Sequence, residues 1–335
     1  MHVVQHLDED LWREFVAHHP QGNIFHTPEM FQVFAHTERH RPTLWAAIDS
    51  GHRPRALLLP VQVTLIDGLL RPLTTRAVAY GSVLCAPGGE GQEALAMLLR
   101  AYNHQMKRSV LFTELRNLSD LSDLQGVLRE GGFTYEAHLN FLIKLDQPEE
   151  ILWRNINKSG QQRVRAASRK GVVIEEVTEQ RQQVATAYQV LQQVYRRARV
   201  PLASLTLFEA AFDILAPLGM FKIFLARLGE HYIGARLLLI YKGRIIDWYA
   251  GADRTFSSYS PNELLVWHTL QWGRAHHCHL FDFGGAGRPD EDYGPRDFKT
   301  KFGGTLVNYG RNICVHAAVR FRLSQAGYRL VRRFL

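Results

Sequence analysis

The sequence predicts two tandem domains of the α/β (α+β) class, each with a mixed, largely antiparallel sheet flanked by helices. Three observations favour this fold. The 335 residues suffice for two domains of about 100–200 residues each. The order of helical and strand-like patterns in the first half recurs in the second half. A short charged segment at residues 146–150 separates the halves, so we expect domains at 1–145 and 146–317.

The first half begins with two helical patterns and continues with strands. Thr27 is a suitable cap for the second helix, because Pro28 fits the first helical position. A turn at residues 49–52 joins two strands, and a glycine corner at 80–82 precedes a long helix. In chain order, the predicted helices and strands are 11–16, 28–34, 43–48, 56–65, 93–108, 110–115 and 133–145.

The second half repeats that order of patterns. A turn at residues 229–231 joins two of its strands, and Pro261 with Asn262 forms a reasonable start for its long helix. Because the sequence of element types is the same, we expect the same kind of unit twice. In chain order, the predicted helices and strands are 184–198, 207–215, 221–228, 232–241, 244–250, 261–275, 279–283 and 306–314.

The segment 318–335 has the pattern of a basic amphipathic helix, with arginines among apolar residues. Such a helix can lie on an anionic membrane surface. It can equally dock by its apolar face, in which case we expect it to pack back on the N-terminal domain.

Composition excludes several classes of protein. The formal net charge is +8, which is compatible with an anionic partner. The three cysteines are far apart and form no Cys-x-x-Cys pair, which argues against a disulfide framework and a structural zinc site. Residues 1–10 do not resemble a signal peptide, and no apolar run is long enough to cross a bilayer. We therefore expect a soluble, cytoplasmic protein.

A basic helical segment at residues 153–171 is the first candidate for function. It contains Arg163, Arg165 and Arg169 and no acidic residue. One interpretation is a surface that binds phosphates of a nucleotide, a tRNA or a pyrophosphate-linked precursor. The other is a solvated helix whose charges are balanced by Glu175, Glu176 and Glu179 just beyond it.

The glycine-rich segment 282–287 (DFGGAG) follows an apolar strand and is the second candidate. Glycines beyond a strand allow a backbone to approach a ligand closely. The Asp-Phe-Gly string also occurs in protein kinases, but the other kinase motifs and a P-loop are absent from this sequence. The segment is either a corner of a binding cleft or an ordinary turn.

The third candidate is the segment 293–304 (YGPRDFKTKFGG), which holds Arg296, Phe298 and Lys299. If the segment is extended, Phe298 and Lys299 point in opposite directions. A lysine beside aromatic rings and a glycine-rich corner can stabilise negative charge that develops in acyl transfer. The alternative is a surface lysine on a strand edge.

A strand that ends in glycine, residues 247–252, is the fourth candidate. Asp247 can serve as a general base or orient an amine, and the Tyr249 hydroxyl can contact a substrate. Strict alternation places both side chains on one face of the strand. A tyrosine at a strand end is also commonly a packing residue. The cluster at 276–279 (HHCH) lacks partners at metal-binding spacing, so we expect no metal site.

These residues together resemble the Fem family, whose members add amino acids to peptidoglycan precursors. The resemblance extends over nearly the whole chain and is most specific at its last group of motifs. The residues that carry it are 23–28 (NIFHTP), 170–172 (KGV), 199–201 (RVP), 248–251 (WYAG), 281–284 (FDFG), 298–299 (FK) and 302–304 (FGG).

The resemblance implies two GNAT-like domains and formation of an amide between an activated acyl group and an amine. It implies aminoacyl-tRNA as the co-substrate, a phosphate-bearing muropeptide as the acceptor, and no metal or bound coenzyme. Lys299 matches the family's lysine, which would stabilise the oxyanion. Tyr249 matches a tyrosine near the phosphates of the acceptor, and Asp247 stands where the family can carry another tyrosine. Cytoplasmic action, with peripheral contact at the inner membrane face, fits such substrates.

Two other functions remain open at this point. The first is an acyl-CoA-dependent N-acyltransferase of the same fold. The stretches 85–91 and 251–261, which precede the two long helices, contain only fragments of a pyrophosphate-binding loop. The second is a non-catalytic protein that binds tRNA or another anionic surface.

Overall fold

The computed structural model describes the backbone of residues 1–334 and the side chains of residues 1–326. The chain forms two compact units. The first comprises residues 1–137 together with the chain from Tyr309 onward, and the second comprises residues 138–308. In the described part of the chain, no helix is both long and apolar enough to cross a membrane.

The N-terminal part alternates short strands with helices, as the pattern predicts. Its strands are β1 (His2–Val4), β2 (His40–Pro42), β3 (Trp45–Ile48), β4 (Pro54–Leu58), β5 (Val61–Thr64), β6 (Thr75–Ala79), β7 (Val83–Cys85), β8 (Phe112–Arg116) and β9 (Thr134–Glu136). Its helices are α1 (Glu9–His18), α2 (Pro28–Ala35), α3 (Arg71–Thr74), α4 (Gly89–Met106) and α5 (Gln125–Glu130).

The second unit follows, and the last strand and helix return to the first. The strands are β10 (Leu139–Lys144), β11 (Val172–Glu176), β12 (Phe221–Leu228), β13 (His231–Tyr241), β14 (Arg244–Ala252), β15 (Leu280–Gly285), β16 (Thr305–Asn308) and β17 (Arg311–Val315). The helices are α6 (Glu149–Asn155), α7 (Lys158–Arg169), α8 (Gln182–Ala198), α9 (Leu205–Leu215), α10 (Pro261–Ala275), α11 (Gly294–Lys299) and α12 (Ala318–Phe334).

Each unit contains one mixed sheet in which antiparallel pairs predominate, and the first unit has a second sheet that is wholly antiparallel. Within residues 1–334, the first unit has sheets in the orders β1-β3-β4-β7 and β2-β5-β6-β8-β17-β9, and the second has the order β11-β12-β13-β14-β15-β10-β16. The parallel pairs are β6 with β8 and β14 with β15. Each parallel pair is joined by a long helix, α4 or α10, as a crossover between parallel strands requires. The repeat expected from the sequence is therefore present.

Local sequence explains where several helices begin. The Thr27 side chain accepts a hydrogen bond from the amide of Met30, and Pro28 occupies the first turn of α2. This confirms the predicted cap. The Asn157 side chain accepts from the amide of Gly160 and so begins α7. A cap between α6 and α7 explains why the basic segment forms two helices.

The two cores are dominated by aliphatic and aromatic side chains. In the first unit, α4 packs on the sheet through residues such as Leu98 and Tyr102, which are fully buried. In the second unit, α10 packs on β12 to β14 with Leu265 and Leu270 fully buried. In the first unit α4 lies on the sheet β1-β3-β4-β7, and in the second unit α10 lies on the sheet that contains the parallel pair β14 and β15.

The unit limits differ from the domain limits 1–145 and 146–317 expected from the sequence. β10 precedes residue 145, yet it pairs with β15 and β16 in the second unit. β17 precedes residue 317, yet it pairs with β8 and β9 in the first. A strand's alternation shows that it is half-buried but not which sheet it joins, so the pattern could not reveal this exchange.

The C-terminal helix α12 belongs to the first unit. It packs against α3, and the ring of Phe321 lies 5.2 Å from that of Phe112 on β8. Of the predicted helix 318–335, residue 335 and the side chains from residue 327 onward lie outside the described residues.

Candidate active site

A β-bulge in β14 determines which way its side chains point. Leu237 of β13 pairs with Tyr249, and the adjacent Leu238 pairs with Asp247, so Trp248 is an extra residue without a partner in the ladder. The bulge reverses the alternation of the strand after Asp247. The expectation that Asp247 and Tyr249 share one face is therefore wrong.

The contacts of the two side chains show that Asp247 and Tyr249 lie on opposite faces of the sheet. The carboxylate of Asp247 pairs with Arg236 on the face covered by α10, where Arg236 also donates to Asn262 at 3.1 Å. The ring of Tyr249 packs on the other face, 4.8 Å from Phe208 of α9 and 5.9 Å from Tyr195 of α8. Tyr249 is thus part of an aromatic cluster under α8 and α9.

The parallel ladder between β14 and β15 is short. It comprises three pairs and ends where Ile246 meets Asp282. Beyond that point the carbonyl groups of Phe283 and Gly285 accept hydrogen bonds from a lysine side chain. The end of the ladder is therefore a place where backbone polar groups, glycines and charged side chains meet.

Lys299 supplies that side chain. Its Nζ donates to the carbonyl oxygen of Phe283 at 2.5 Å and to that of Gly285 at 2.8 Å. The same atom lies 5.3 Å from the centre of the Phe283 ring. Burial lowers the pKa of Lys299, while the carboxylates of Asp247 and Asp282 oppose that shift. Lys299 is thus a fixed cation at the ends of two strands.

Arg236 and Asp247 form a buried ion pair beside it. Nη1 of Arg236 lies 2.9 Å from Oδ2 of Asp247, and the two side chains are 1% and 8% exposed. Burial raises the pKa of Asp247, while Arg236 and Lys299 oppose that shift. Among the described residues, Oδ1 of Asp247 has no hydrogen-bond partner although it is buried. That oxygen is available to accept a proton or a hydrogen bond.

Asp282 has a structural role at this corner. Its side chain is fully buried, and its Oδ1 accepts from the amide of Gly284 at 2.9 Å while Oδ2 accepts from Arg244. Gly284 has a φ of +74°, a conformation that favours glycine. The Asp-Phe-Gly string therefore shapes the turn at the end of β15 and needs no kinase-like chemistry.

The segment 293–304 is helical, which corrects the extended conformation considered above. Residues Gly294–Lys299 form α11, and Thr300–Phe302 continue as a 3-10 turn. Pro295 and Asp297 suit the first turn of such a helix, a signal that the interleaving of aromatic and basic residues obscured. The helix brings Lys299 back to the carbonyl groups of β15.

Phe298 and Arg296 support this arrangement. The Phe298 ring packs 5.4 Å from Phe302 and 6.3 Å from Phe283. Arg296 donates through Nε to the carbonyl oxygen of Ala286 at 2.8 Å and through Nη2 to that of Arg288. Both side chains therefore hold α11 against the glycine-rich corner, and a contact of either with substrate stays a prediction.

Of the three arginines of α7, Arg165 and Arg169 lie on a surface shared with α6 and α10, and Arg163 lies beside Glu263 of α10. Arg165 and Arg169 line a depression of about 670 Å³ together with Trp153 and Trp267. The guanidinium of Arg165 lies 5.1 Å from the centre of the Trp153 ring. Arg163 is 49% exposed and lies 3.7 Å from Glu263, whose side chain is also 3.5 Å from Lys301.

The glutamates just beyond α7 have other partners. Oε1 of Glu175 accepts from Arg227 and Oε1 of Glu176 from Lys222, each at 2.5 Å. These cations belong to β12, the neighbour of β11 in the sheet. Since Glu175 and Glu176 are already paired there, they do not balance the charges of α7, whereas Glu263 does lie 3.7 Å from Arg163. The phosphate-binding interpretation stays a prediction.

The histidine cluster at residues 276–279 lies at the end of α10. The His276 ring stacks on Trp272 with centres 4.1 Å apart, and Cys278 is buried in the core. Within the part of the chain whose side chains are described, no three potential metal ligands converge.

Arg236 and Asn262 are site residues that sequence reasoning missed. Arg236 stands alone in the apolar run of β13, where an unpaired charge is costly. A charged residue in a buried strand, followed 11 residues later by Asp247 in the adjacent strand, is a signal of a buried pair. The two side chains meet because of the bulge at Trp248, which the sequence does not reveal.

Residues 155–299 match the family model described as an acetyltransferase (GNAT) domain. That span includes Arg236 and Asp247 and ends at Lys299. No protein of curated function matches the sequence. An acyltransferase of this family takes its acyl donor as a co-substrate, and the match supports an acyltransferase here.

Solved structures show the fold of the whole chain. The crystal structure of FemX has a TM-score of 0.71 at 15% identity, covering 99% of this chain and 100% of FemX. L-PGS from Bacillus licheniformis has a TM-score of 0.58 at 13% identity, covering 97% of this chain and 98% of that one. A tandem GNAT protein from the clavulanic acid biosynthesis pathway has a TM-score of 0.58 at 11% identity, with coverages of 94% and 98%. The Fem-like doubled GNAT fold expected from the sequence is confirmed.

Proposed function

We propose that this chain is an aminoacyltransferase that forms an amide bond between the aminoacyl group of an aminoacyl-tRNA and an amine of a peptidoglycan-precursor-type acceptor. The observation that carries the proposal is the position of Lys299, whose ammonium is held on the carbonyl groups of Phe283 and Gly285. The buried pair of Arg236 and Asp247 lies within electrostatic range of it. A cation and a carboxylate at one strand end are the two charges that such a transfer requires.

Lys299 would stabilise the oxyanion. An ammonium group has three N–H donors, and two of them bind the carbonyl oxygens of β15. The third remains for the oxygen that becomes negative when an amine attacks an ester carbonyl. A donor held in place before the reaction needs no reorganisation as charge develops, which is why such donors are worth about 10²–10³ in turnover.

Asp247 would take the proton of the attacking amine. The amine nitrogen forms the new C–N bond and the ester C–O bond breaks. The ribose oxygen of the tRNA leaves as a hydroxyl because it receives back the proton that Asp247 takes from the amine. The amine loses one proton, which Oδ1 of Asp247 can accept because Oδ2 faces Arg236. An ester is already activated, so positioning and charge stabilisation account for the acceleration.

The arginines of α7 support an anionic donor. Arg163, Arg165 and Arg169 lie along one helix; Glu175 and Glu176 just beyond it are paired with cations of β12, and Glu263 lies 3.7 Å from Arg163. Arg165 and Arg169 flank a depression with two tryptophan rings, an arrangement that suits phosphates and bases together. The similarity to FemX adds the peptidoglycan context, and cytoplasmic action with peripheral contact at the inner membrane face is part of the proposal.

A second candidate is an acyl-CoA-dependent N-acyltransferase. The observation that favours it is the family match itself, since that model describes an acetyltransferase domain. The chemistry at Lys299 and Asp247 would be the same, but the leaving group would be a thiol.

The experiment compares binding of charged tRNA, acetyl-CoA and a UDP-muropeptide at several salt concentrations. The test variant replaces Arg163, Arg165 and Arg169 by glutamine. Its matched control replaces three exposed arginines of the first unit, Arg53, Arg100 and Arg129. For tRNA, we expect the test variant to reduce the magnitude of the slope of log K against log salt by about 2–3, at roughly 0.7–0.9 for each of the three lost phosphate contacts.

The outcomes separate the candidates. Salt-sensitive tRNA binding that weakens only in the test variant supports the proposal. Saturable acetyl-CoA binding without tRNA binding supports the second candidate. A third function is that of a non-catalytic protein that binds tRNA. It predicts that the wild type and a Lys299→Met variant bind tRNA equally well, and that neither transfers an acyl group from any donor.

A further inference from the structure

An exposed apolar loop projects from the first unit between β5 and β6. Leu65, Ile66, Leu69 and Leu70 are 45%, 50%, 99% and 50% exposed. Large aliphatic side chains scattered singly on a surface need no explanation, but four within six residues do. We call residues 65–70 the apolar loop.

Hydrogen bonds give the apolar loop a defined shape. Oγ1 of Thr74 donates to the carbonyl oxygen of Ile66 at 2.7 Å, and the amide of Leu65 donates to that of Thr74 at 3.2 Å. Gly68 has a φ of +75°, which reverses the chain at the tip. The loop is closed at its base, so Leu69 is directed outward and does not fold back on the unit.

The start of α12 adds to the same surface. α12 packs against α3, which directly follows the apolar loop. Phe321 fixes the helix to the unit by its contact with Phe112, while Val319 and Leu323 are 73% and 58% exposed. Because these two residues are four apart, they occupy one face of the helix and extend the exposed apolar area.

Cations surround this area. Arg71 and Arg322 are exposed at α3 and α12, and Lys107 and Arg108 are exposed where α4 ends beside Arg320. The acidic residue of the apolar loop, Asp67, lies 3.5 Å from Arg39 and is neutralised by it. Exposed aliphatic side chains ringed by arginine and lysine are the combination that anionic lipid surfaces bind.

We propose that the apolar loop and the start of α12 form a docking surface for an anionic lipid bilayer. Leu69 and Leu70 enter the boundary between headgroups and acyl chains, and Arg71 and Arg322 contact anionic headgroups. The argument rests on the exposure and charge of this surface and not on the reaction of the second unit. A protein groove as partner is disfavoured, because the aliphatic residues project from a loop tip and are not spread over a flat face.

The experiment measures flotation of the full chain with two kinds of vesicle, phosphatidylcholine alone and phosphatidylcholine with phosphatidylglycerol. The apolar test variant is Leu69→Ser with Leu70→Ser, and its matched control is Leu218→Ser, at a residue of the second unit that is 57% exposed. The charge variant is Arg71→Gln with Arg322→Gln, and its control is Arg53→Gln with Arg129→Gln.

We expect the wild type to bind phosphatidylglycerol vesicles, and more weakly as salt increases. Each test variant should bind the phosphatidylglycerol vesicles at least about tenfold more weakly than the wild type. In the charge variant two cations are lost, and one cation near an anionic surface alone accounts for roughly fivefold. The controls should bind like the wild type, and all variants should keep the wild-type melting temperature because the replaced side chains are exposed.

Three results would overturn the proposal. The first is a wild type that does not float with anionic vesicles. The second is equal binding by the wild type and the Leu69→Ser, Leu70→Ser variant. The third is a wild-type dimer in sedimentation experiments that this variant lacks, which would assign the surface to a second copy of the chain.

Discussion

Arg236 and Asp247 lie 2.9 Å apart in the interior of the second unit, with side chains only 1% and 8% exposed. Arg236 also lies over the Phe283 ring at 5.5 Å, the ring that Lys299 contacts from 5.3 Å. A buried pair is not strong evidence of stability, because desolvation offsets its attraction. Loss of one partner is costly, however, because the other charge is then left buried without compensation.

Replacement of Arg236 by methionine should therefore destabilise the second unit by about 3–5 kcal/mol. The double variant Arg236→Met, Asp247→Asn should recover a large part of that loss, since no uncompensated charge remains. The measurement is urea unfolding followed by tryptophan fluorescence, because four of the six tryptophans belong to the second unit: Trp153, Trp248, Trp267 and Trp272.

The matched control for that experiment is an exposed pair. Arg181 and Asp213 are 57% and 47% exposed and lie 2.8 Å apart. Arg181→Met should destabilise the unit much less than Arg236→Met, because solvent screens the exposed pair. Equal destabilisation by the two arginine substitutions would contradict a special role for burial.

Replacement of Lys299 by methionine should reduce turnover by on the order of 10²–10³, the usual effect of losing an oxyanion donor. The control is Lys301→Met, which removes a lysine two residues away that is 25% exposed and faces Glu263. Steady-state rates of amide formation at saturating donor check this prediction. Near-normal turnover in the Lys299 variant would remove this residue from the mechanism, while the fold assignment would stand.

The architecture was more predictable than the geometry of the site. Hydrophobic periodicity and the recurring order of patterns indicated two similar α/β units, and the resemblance to the Fem family implied that these units are GNAT-like. A cap such as Thr27 marked a helix start within a residue. These features are local in sequence. The pairing of β10 and β17 with strands of the other half is not local, and alternation carries no information about it.

The same difference between local and non-local features applies to the candidate site. Lys299 was identified through a family motif, but its carbonyl partners depend on α11, which replaces the extended segment first considered. Asp247 was identified as a potential base, but the bulge at Trp248 separates it from Tyr249 and turns it toward Arg236. A single inserted residue in a ladder reverses the direction of every later side chain in the strand, and amino-acid composition does not reveal such an insertion.

The pH dependence of the reaction should follow the two shifted groups. Asp247 must be deprotonated to accept a proton, and burial raises its pKa, so activity should fall as pH falls through that raised value. Lys299 must be protonated to stabilise the oxyanion, and burial lowers its pKa, so activity should fall as pH rises through that lowered value. The rate at saturating substrate should therefore be bell-shaped.

The Asp247→Asn variant tests the assignment of the acidic limb. It should lose that limb and keep the alkaline one, at a rate lowered by about 10²–10⁴, the range for removal of a general base. Rates of single-turnover amide formation between pH 5 and pH 10 measure both limbs. An acidic limb that persists unchanged in the variant would assign it to another group.

Acid sensitivity of the first unit should depend on His26. This side chain is 1% exposed, and burial lowers its pKa to about 3. An unfolded histidine has a pKa of about 6.5, so below that pH the unfolded chain binds a proton that the folded unit excludes. The contribution of His26 to stability is thus complete above pH 6.5 and is lost progressively as pH falls toward 3.

The His26→Gln variant should therefore show a flatter dependence of unfolding free energy on pH than the wild type. The wild-type slope from this one group is up to about 1.4 kcal/mol per pH unit below pH 6.5. The control is His18→Gln, at an exposed position of α1. Chemical denaturation at pH 4, 5, 6 and 7 gives the slopes. Loss of the contact between His26 and Ser82 lowers the unfolding free energy by the same amount at every pH, so it does not change a slope. Parallel curves for the wild type and His26→Gln would mean that the imidazole is protonated in the folded unit, which its burial beside the backbone of Ser82 argues against.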